Sequence, residues 1–394
     1  MSDLRALVRR PFALRMLLSA LVGRLPEAMV PLALLLLARH EHGSYATAGA
    51  LAGAFAVGAA LGGPLLGRVV DRLGQPRVLV ASAVLRSAAL AGIVAVAPSS
   101  LVAAGAIAIA AGALTPPLEP ALRALWPDLA GDDEHALAAA YELDAGAQEL
   151  IFVAGPLLVA VAVAVSGPAA ALHLASAVGL VGSLAFALAP PARAWNADGL
   201  RDAAARWTAA VRAPEVGLLL LIGVLAGAAT GVVNVTATAF AERTLGDRDL
   251  AGWLLAAWAA GALTGGLTAA ARRWTWPPER RLTLLLVIFG IAFAPAVAAR
   301  STLAMAVALA VAGAFLAPTL AAIFVLTGTR ALPGTITETF AWLTSSFLVG
   351  SAAGAAAGGA LGGRGAGADG FALSGAIVLA GAALWRLRSV SLSR

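Results

Sequence analysis

Long apolar runs, separated by short polar or proline-rich stretches, recur along the whole chain. Read from break to break, they cover 12–39, 45–67, 76–97, 99–126, 138–165, 168–190, 215–241, 249–271, 281–299, 301–329, 335–362 and 370–387. A helix needs about 20 mostly apolar residues to cross a bilayer. Lipid offers no partner to backbone N–H and C=O groups, so helices are the expected spanning elements. The pattern therefore predicts an all-α membrane protein with twelve transmembrane helices. Twelve runs within 394 residues leave no room for a soluble domain. The first run carries Arg15, Arg24 and Glu27 and lacks a small-residue cleavage signal, so it is expected to be a retained span.

Composition sharpens this reading. Apolar residues make up 60% of the chain and charged residues 12%, with a mean hydropathy of +0.89. Soluble domains carry about 25% charged residues. A soluble enzyme, a disordered chain and a nucleic-acid-binding module are all excluded. The net charge of +6 does not revive the last, because the basic residues are spread thinly and form no stripe. Cysteine is absent, which removes disulfides, thiolate metal sites and thiol nucleophiles. The 4 histidines leave little for metal chemistry, so neither a cofactor nor a metal is expected. No phosphate-binding loop is present, so the chain does not read as an ATP-driven pump.

Arginine supplies all the basic residues and orients the chain. With both termini inside, 19 arginines fall in inner segments, 5 in outer segments and 3 within spans. Positive charge is retained on the cytoplasmic side, so both termini are expected there. Arg123 and Arg281 are counted among the inner-segment arginines.

The two halves echo each other. At a constant offset of 203, Gly49, Gly58, Gly62 and Gly63 match Gly252, Gly261, Gly265 and Gly266. Phe152 and Gly155 match Phe347 and Gly350 at an offset of 195. The expected organisation is a six-helix bundle over 1–190, a cytoplasmic linker over 191–214 and a second six-helix bundle over 215–394. The linker, with Arg193, Arg201, Arg206 and Arg212, is expected to lie on the inner surface as a short amphipathic helix. Two pseudo-symmetric halves around a central cavity form a recurring transporter plan.

The loop after the second run reads Gly67-Arg68-Val69-Val70-Asp71-Arg72-Leu73-Gly74-Gln75-Pro76-Arg77. Gly67 permits close helix approach. Asp71 can accept from helix N-terminal amides or pair with an arginine at an inner gate. The segment resembles the loop signature of the major facilitator superfamily, G-x-x-x-D-R-x-G-R-[KR]-x, in Gly67, Asp71, Arg72 and Gly74. Gln75 and Pro76 replace the usual basic pair, and Arg77 supplies a cation one position later. In the fifth run, Gly146 and Gly155-Pro156 resemble part of that superfamily's antiporter motif. Val159-Ala160 stand where the motif has two glycines. The resemblance implies export. The fourth run lacks the arginine that proton-coupled drug exporters place four residues before a glycine: Ala108 precedes Gly112. The run from Pro116 to Pro127 resembles many bacterial members of the superfamily, so a bacterial inner membrane is the implied location.

Ionisable residues within the runs are the site candidates. A charge at mid-bilayer costs roughly 2.5–3.5 kcal/mol on insertion scales and must face a cavity or a partner. Arg24 and Glu27 share a helix face at i,i+3. They form either a self-neutralised structural pair or a substrate or proton site. Asp144 and Glu149 lie about 140° apart around one helix. Glu149 is expected to be the cavity group and proton carrier, with Asp144 serving the inner gate. Arg86, Glu119, Asn234 and Glu338 are further candidates, with structural pairing an equal reading for Arg86 and Glu119.

The reading that results is a secondary active transporter, monomeric, exporting a small organic molecule by alternating access with proton exchange as the candidate drive. Uptake of a sugar or other metabolite is the related alternative. A transport-inactive membrane sensor or assembly protein is the rival of another class. Reporter fusions at Ala197 and at the C-terminus should both read cytoplasmic and one at Asp247 external. An external reading at Ala197 would overturn the arginine count.

Overall fold

The computed structural model describes residues 10–42, 45–131, 133–195, 213–243, 250–272, 274–362 and 368–392. All regular structure among them is helical. Among the described residues, twelve helices are long and apolar enough to cross a membrane. They are α1 (Ala13–His42), α2 (Thr47–Leu73), α3 (Gln75–Val96), α4 (Leu101–Ala130), α5 (Glu134–Ser166) and α6 (Pro168–Ala187), followed by α7 (Pro214–Glu242), α8 (Leu250–Ala270), α9 (Pro278–Ala298), α10 (Thr302–Arg330), α11 (Ile336–Leu361) and α12 (Ala368–Leu387). Each predicted run has its helix. The ends move where polar residues extend or cap a helix. α5 starts at Glu134 because the Asp133 carboxylate accepts from the N–H groups of His135 and Ala136, both at 3.0 Å. The expected amphipathic helix of the linker falls largely outside the described residues; only the short helix Pro190–Ala194 is seen.

Proline shapes the helices beside the site. Pro26 and Pro31 sit inside α1. α4 is broken into Leu101–Ala113 and Leu118–Ala130, with Pro116 and Pro117 in the break. Proline has no N–H to donate and clashes with the preceding turn, so the helix cannot run through. The second segment then begins anew with Glu119 in its first turn, where exposed N–H groups and the helix dipole favour a carboxylate.

Glycines bring the helices together at backbone distance. A Cβ at Gly58 or Gly62 of α2 would collide with the Ile109 or Ala113 carbonyl of α4. In the second half, a Cβ at Gly261 or Gly265 of α8 would collide with Ala310 or Ala314 of α10. The same seam therefore occurs twice, in the register of the 203-residue offset. Gly182 of α6 meets the backbone of Gly23 in α1, and Gly354 of α11 meets Ala228 of α7. In lipid, helix association rests on van der Waals packing and interhelical hydrogen bonds, which is why small residues occupy such seams.

An even number of spans puts the start of α1 and the end of α12 on one face, called here the terminal face. The named contacts between the halves lie toward that face. Gly146 of α5 packs on Gly266 of α8, and Gly67 of α2 packs on Thr337, Glu338 and Ala341 of α11. Higher up, the Ser345 hydroxyl donates to the Ala60 carbonyl at 3.2 Å.

These contacts predict a graded response. Gly265→Leu should lower stability in detergent by about 1–3 kcal/mol, the usual cost of overpacking, because it drives α8 off α10. Gly49→Leu should leave the thermal midpoint unchanged, since a Cβ there meets nothing within 4 Å.

Candidate functional site

Two guanidiniums and three carboxylates converge inside the first half. Arg24 of α1 lies 2.9 Å from Glu119, 3.3 Å from Asp144 and 3.8 Å from Glu27. Arg123 of α4 pairs with Glu119 one turn earlier and lies 2.9 Å from Asp144 of α5. Arg24, Arg123 and Asp144 have almost no exposure. Asp144 bridges the two arginines, one carboxylate oxygen to each. The Tyr141 hydroxyl donates to the Arg123 carbonyl at 3.2 Å and holds that segment of α4 against α5. The local reason for the cluster is the break in α4. It turns Glu119 and Arg123, spaced i,i+4, onto one inward face beside α1.

Glu27 differs from its neighbours. Its side chain is 32% exposed and its nearest ion-pair contact is the longest of the set. It borders a cavity of about 490 Å³. The lining comes from both halves, with residues of α1 (Glu27, Pro31), α2, α4 and α5 (Gln148, Phe152) on one side and of α7 (Gly223), α10 (Leu320, Phe324) and α11 on the other. The volume is that of a pocket for a small organic ligand, about 300–1,000 Å³. Most of the wall is apolar. The polar groups are Glu27, Glu119, Arg123, Gln148, Thr115, Thr344 and Ser345. At its floor the Arg123 guanidinium lies 3.5 Å from the centre of the Phe324 ring across the two halves. Below that, Tyr141, Phe324 and Phe340 pack together.

Contacts between the halves toward the terminal face lie beneath this floor. Asp71 accepts from the backbone N–H of Thr337 at 3.1 Å and of Glu338 at 2.8 Å, the first turn of α11. This is the amide-capping option of the two expected for it. Glu338 sits at the same place, with Arg68 and Arg72 in electrostatic reach of its carboxylate. Gly74 adopts φ 84 as it turns the chain into α3, a conformation glycine tolerates. Gln75, at one of the family's basic positions, is buried and donates to the Ala121 carbonyl at 3.0 Å. Arg72 and Arg77 are exposed.

The geometry corrects four expectations. Glu149 is half-buried and is not among the cavity's lining residues. Asp144 and Gln148, on the other face of α5, take the inward positions, so Asp144 belongs to the charge cluster rather than to the gate. Arg123, counted as a loop arginine, is buried in that cluster; its i,i+4 spacing from Glu119 was the available signal. Asn234 is exposed and does not line the cavity. Arg86 stays behind the wall, 5.9 Å from the Phe55 ring and in electrostatic reach of Glu27. Gly155 serves its own half against Ala28, whereas Gly146 serves the contact between halves. The sequence reading missed one further pair: Glu142 of α5 and Arg281 of α9, both buried, form an ion pair across the halves.

A family model described as Major Facilitator Superfamily matches residues 16–229. No curated protein matches the sequence. Among solved structures, a bacterial homologue of the iron transporter ferroportin in an outward-facing state aligns over 95% of this chain and 98% of its own, with a TM-score of 0.76 and 15% identity. The human organic anion transporter MFSD10 (TETRAN) aligns over 94% of this chain and 98% of its own, with a TM-score of 0.70 and 20% identity. The Escherichia coli fucose:proton symporter aligns over 96% and 98%, with a TM-score of 0.68 and 13% identity. At these identities the likeness establishes a shared fold.

The charge cluster predicts a non-additive mutant series. Asp144→Asn alone strips both buried arginines of a shared partner and should destabilise by about 3–5 kcal/mol. Adding Arg24→Gln should recover part of that loss, because fewer unpaired charges remain. Thermal unfolding in detergent measures both, and strictly additive losses would contradict the coupling.

Proposed function

This chain belongs to the major facilitator superfamily, and we propose that it exports a small organic molecule by alternating access, with proton exchange as the drive. As a member of that family it is a multi-pass membrane transporter rather than an enzyme. Export, the coupling ion and the substrate belong to the proposal. The observation that carries it is the cavity shared by the two halves, with a seal on the terminal face and a half-exposed carboxylate in its wall.

The chemistry follows from which charges are already satisfied. Glu119 and Asp144 are each shared between Arg24 and Arg123. Among the described residues Glu27 has one ion pair, at 3.8 Å, and it reaches the cavity. It is therefore the carboxylate open to a substrate or a proton, one of the two readings given to the Arg24–Glu27 pair, and it takes over the proton role expected of Glu149. The apolar wall and the rings of Phe55, Phe152, Phe324 and Phe347 suit the hydrophobic body of an organic molecule. The structural neighbours are a homologue of an iron transporter, an organic anion transporter and a fucose:proton symporter, so the shared fold singles out no substrate.

The direction rests on the helix-5 resemblance, Gly146 with Gly155-Pro156. Under the arginine count the terminal face is cytoplasmic, and a seal on that face leaves the cavity facing outward. A bacterial inner-membrane location and a monomeric state complete the proposal. Uptake remains the alternative that flux direction decides. A transport-inactive sensor is disfavoured by a cavity that carries a half-exposed carboxylate at mid-span.

Comparing metabolites and drug tolerance of cells with and without the protein, with and without a proton gradient, identifies substrate and direction together. With the substrate in hand, Glu27→Gln should weaken its binding by at least about tenfold, or ~1.4 kcal/mol. Asp71→Asn should strongly reduce transport while membrane insertion stays normal. Wild-type transport by Asp71→Asn would reduce that loop to a tight turn.

A further inference from the structure

Arg86 of α3 is a buried charge that neither lines the central cavity nor joins the ion pairs around Arg24. Helical spacing sets its surroundings. Ala83, Arg86 and Leu90 form one stripe of α3, and Ser176, Gly179 and Ser183 form one stripe of α6. The two stripes line a crevice of about 10 Å³. The small residues on α6 leave that room: a Cβ at Gly179 would stand 3.8 Å from Arg86 Nη1. Pro116, in the break of α4, lines both this crevice and the central cavity. Arg86 is 4% exposed and Ser183 1%. Among the described residues, Arg86 Nε and Nη2 and Ser183 Oγ have no hydrogen-bond partner, and Arg86 makes no ion pair.

We infer that this crevice holds one halide ion, physiologically chloride, on Arg86 Nε and Nη2 and Ser183 Oγ, in competition with the charge of Glu27. The competition rests on reading Glu27 as the open carboxylate of the cavity; the site itself does not. The volume admits one water-sized particle, about 10–15 Å³ being the least that holds a water, so carboxylates and phosphates do not fit. Arg86 lies about 16 Å along the 22-residue α3, halfway across and remote from lipid headgroups. A guanidinium offers donors only and keeps its charge. A water would satisfy the hydrogen bonds and leave the charge uncompensated; a halide answers both. The charges nearby decide when it is needed. Arg24 and Arg123 share Glu119 and Asp144, so those four groups balance. Arg86 is left with Glu27, which reaches it through space without contact. The other charges felt by Glu27 are Arg24 on its own helix and Glu119 and Arg123 of α4; the α6 stripe contributes hydroxyls. When a proton or a cationic group neutralises Glu27, Arg86 stands alone near mid-membrane, where an unpaired charge is costly. An anion in the crevice restores the balance.

Purified protein in detergent, with chloride exchanged for gluconate at constant ionic strength, tests the site. Chloride should raise the thermal midpoint along a saturable curve. Ser183→Ala should weaken the apparent chloride affinity about tenfold, and Arg86→Gln should abolish the response. Glu27→Gln removes the competing charge and should tighten chloride binding at least about threefold. Bromide locates the ion. Anomalous diffraction from crystals grown in bromide should show one peak within hydrogen-bonding distance of Arg86 Nε and Ser183 Oγ. A water there with no bromide signal would overturn the site. So would a midpoint indifferent to chloride, or a chloride response that survives in both Ser183→Ala and Arg86→Gln. Should Arg86→Gln not insert, Ser183→Ala removes only a hydroxyl, and together with the bromide peak it still decides. A response weakened in Ser183→Ala but unchanged in Glu27→Gln would overturn the competition and leave the halide as a fixed counter-ion of Arg86. These measurements involve no transport, so their failure leaves the export reading to be judged by flux.

Discussion

Two arginines buried between α1, α4 and α5 impose the arrangement around them. A guanidinium cannot lose its charge in a protein, so it must be solvated by whatever surrounds it. Here Asp144 gives one oxygen to Arg24 and the other to Arg123, and Glu119 meets both. That requirement places three helices at fixed rotations. It also explains the interruption of α4 beside Pro116 and Pro117, which aims Glu119 and Arg123 inward from a fresh helix start. The cluster spends nearly all its carboxylate oxygens internally. Glu27 alone is left at the cavity with a weak contact, so the structural ion pairs and the candidate binding group are parts of one network.

The two kinds of helix contact differ in strength and in what breaks them. Within each half, glycines at backbone distance build continuous seams, as at Gly58 and Gly62 on α4 or Gly261 and Gly265 on α10. Such seams have no alternative partner. Between the halves, the glycine contacts at Gly146 and Gly67 are joined by polar ones: Asp71 on the start of α11, Glu142 with Arg281, and Arg123 over Phe324. Polar groups released there can be taken up by water, whereas apolar seams cannot be so compensated. The difference suits rigid-body movement of one half against the other, the hinge-and-shear class of transition.

The halves share a backbone plan but not a chemistry. The first supplies Glu27, Glu119, Arg123 and Gln148 to the cavity, and the second supplies Phe324, Phe347, Thr344 and Ser345. A ligand between them would meet aromatic rings on both sides but charged groups only on the first half's side. The two halves also differ where they meet: an aspartate stands near the end of α2, and a tryptophan at the position 203 residues later.

Much of this was legible without coordinates. Span number follows from run length and hydropathy, because the bilayer sets one length scale for every crossing. The glycine register disclosed the duplicated seams, since only glycine fits where two backbones touch. Asp71 could be read as an amide acceptor from its loop. What could not be read was rotation and reach. Asp144 and Glu149 lie on different faces of α5, and periodicity alone does not say which face turns inward; the cluster around Arg24 decided for Asp144. Arg123 and Arg281 lie near the ends of their helices, where an arginine can snorkel outward to water or turn inward to a carboxylate. Sequence counts both cases alike as loop charge. Only the packed helices, which place Glu119 and Asp144 beside one and Glu142 beside the other, determined that both turn inward.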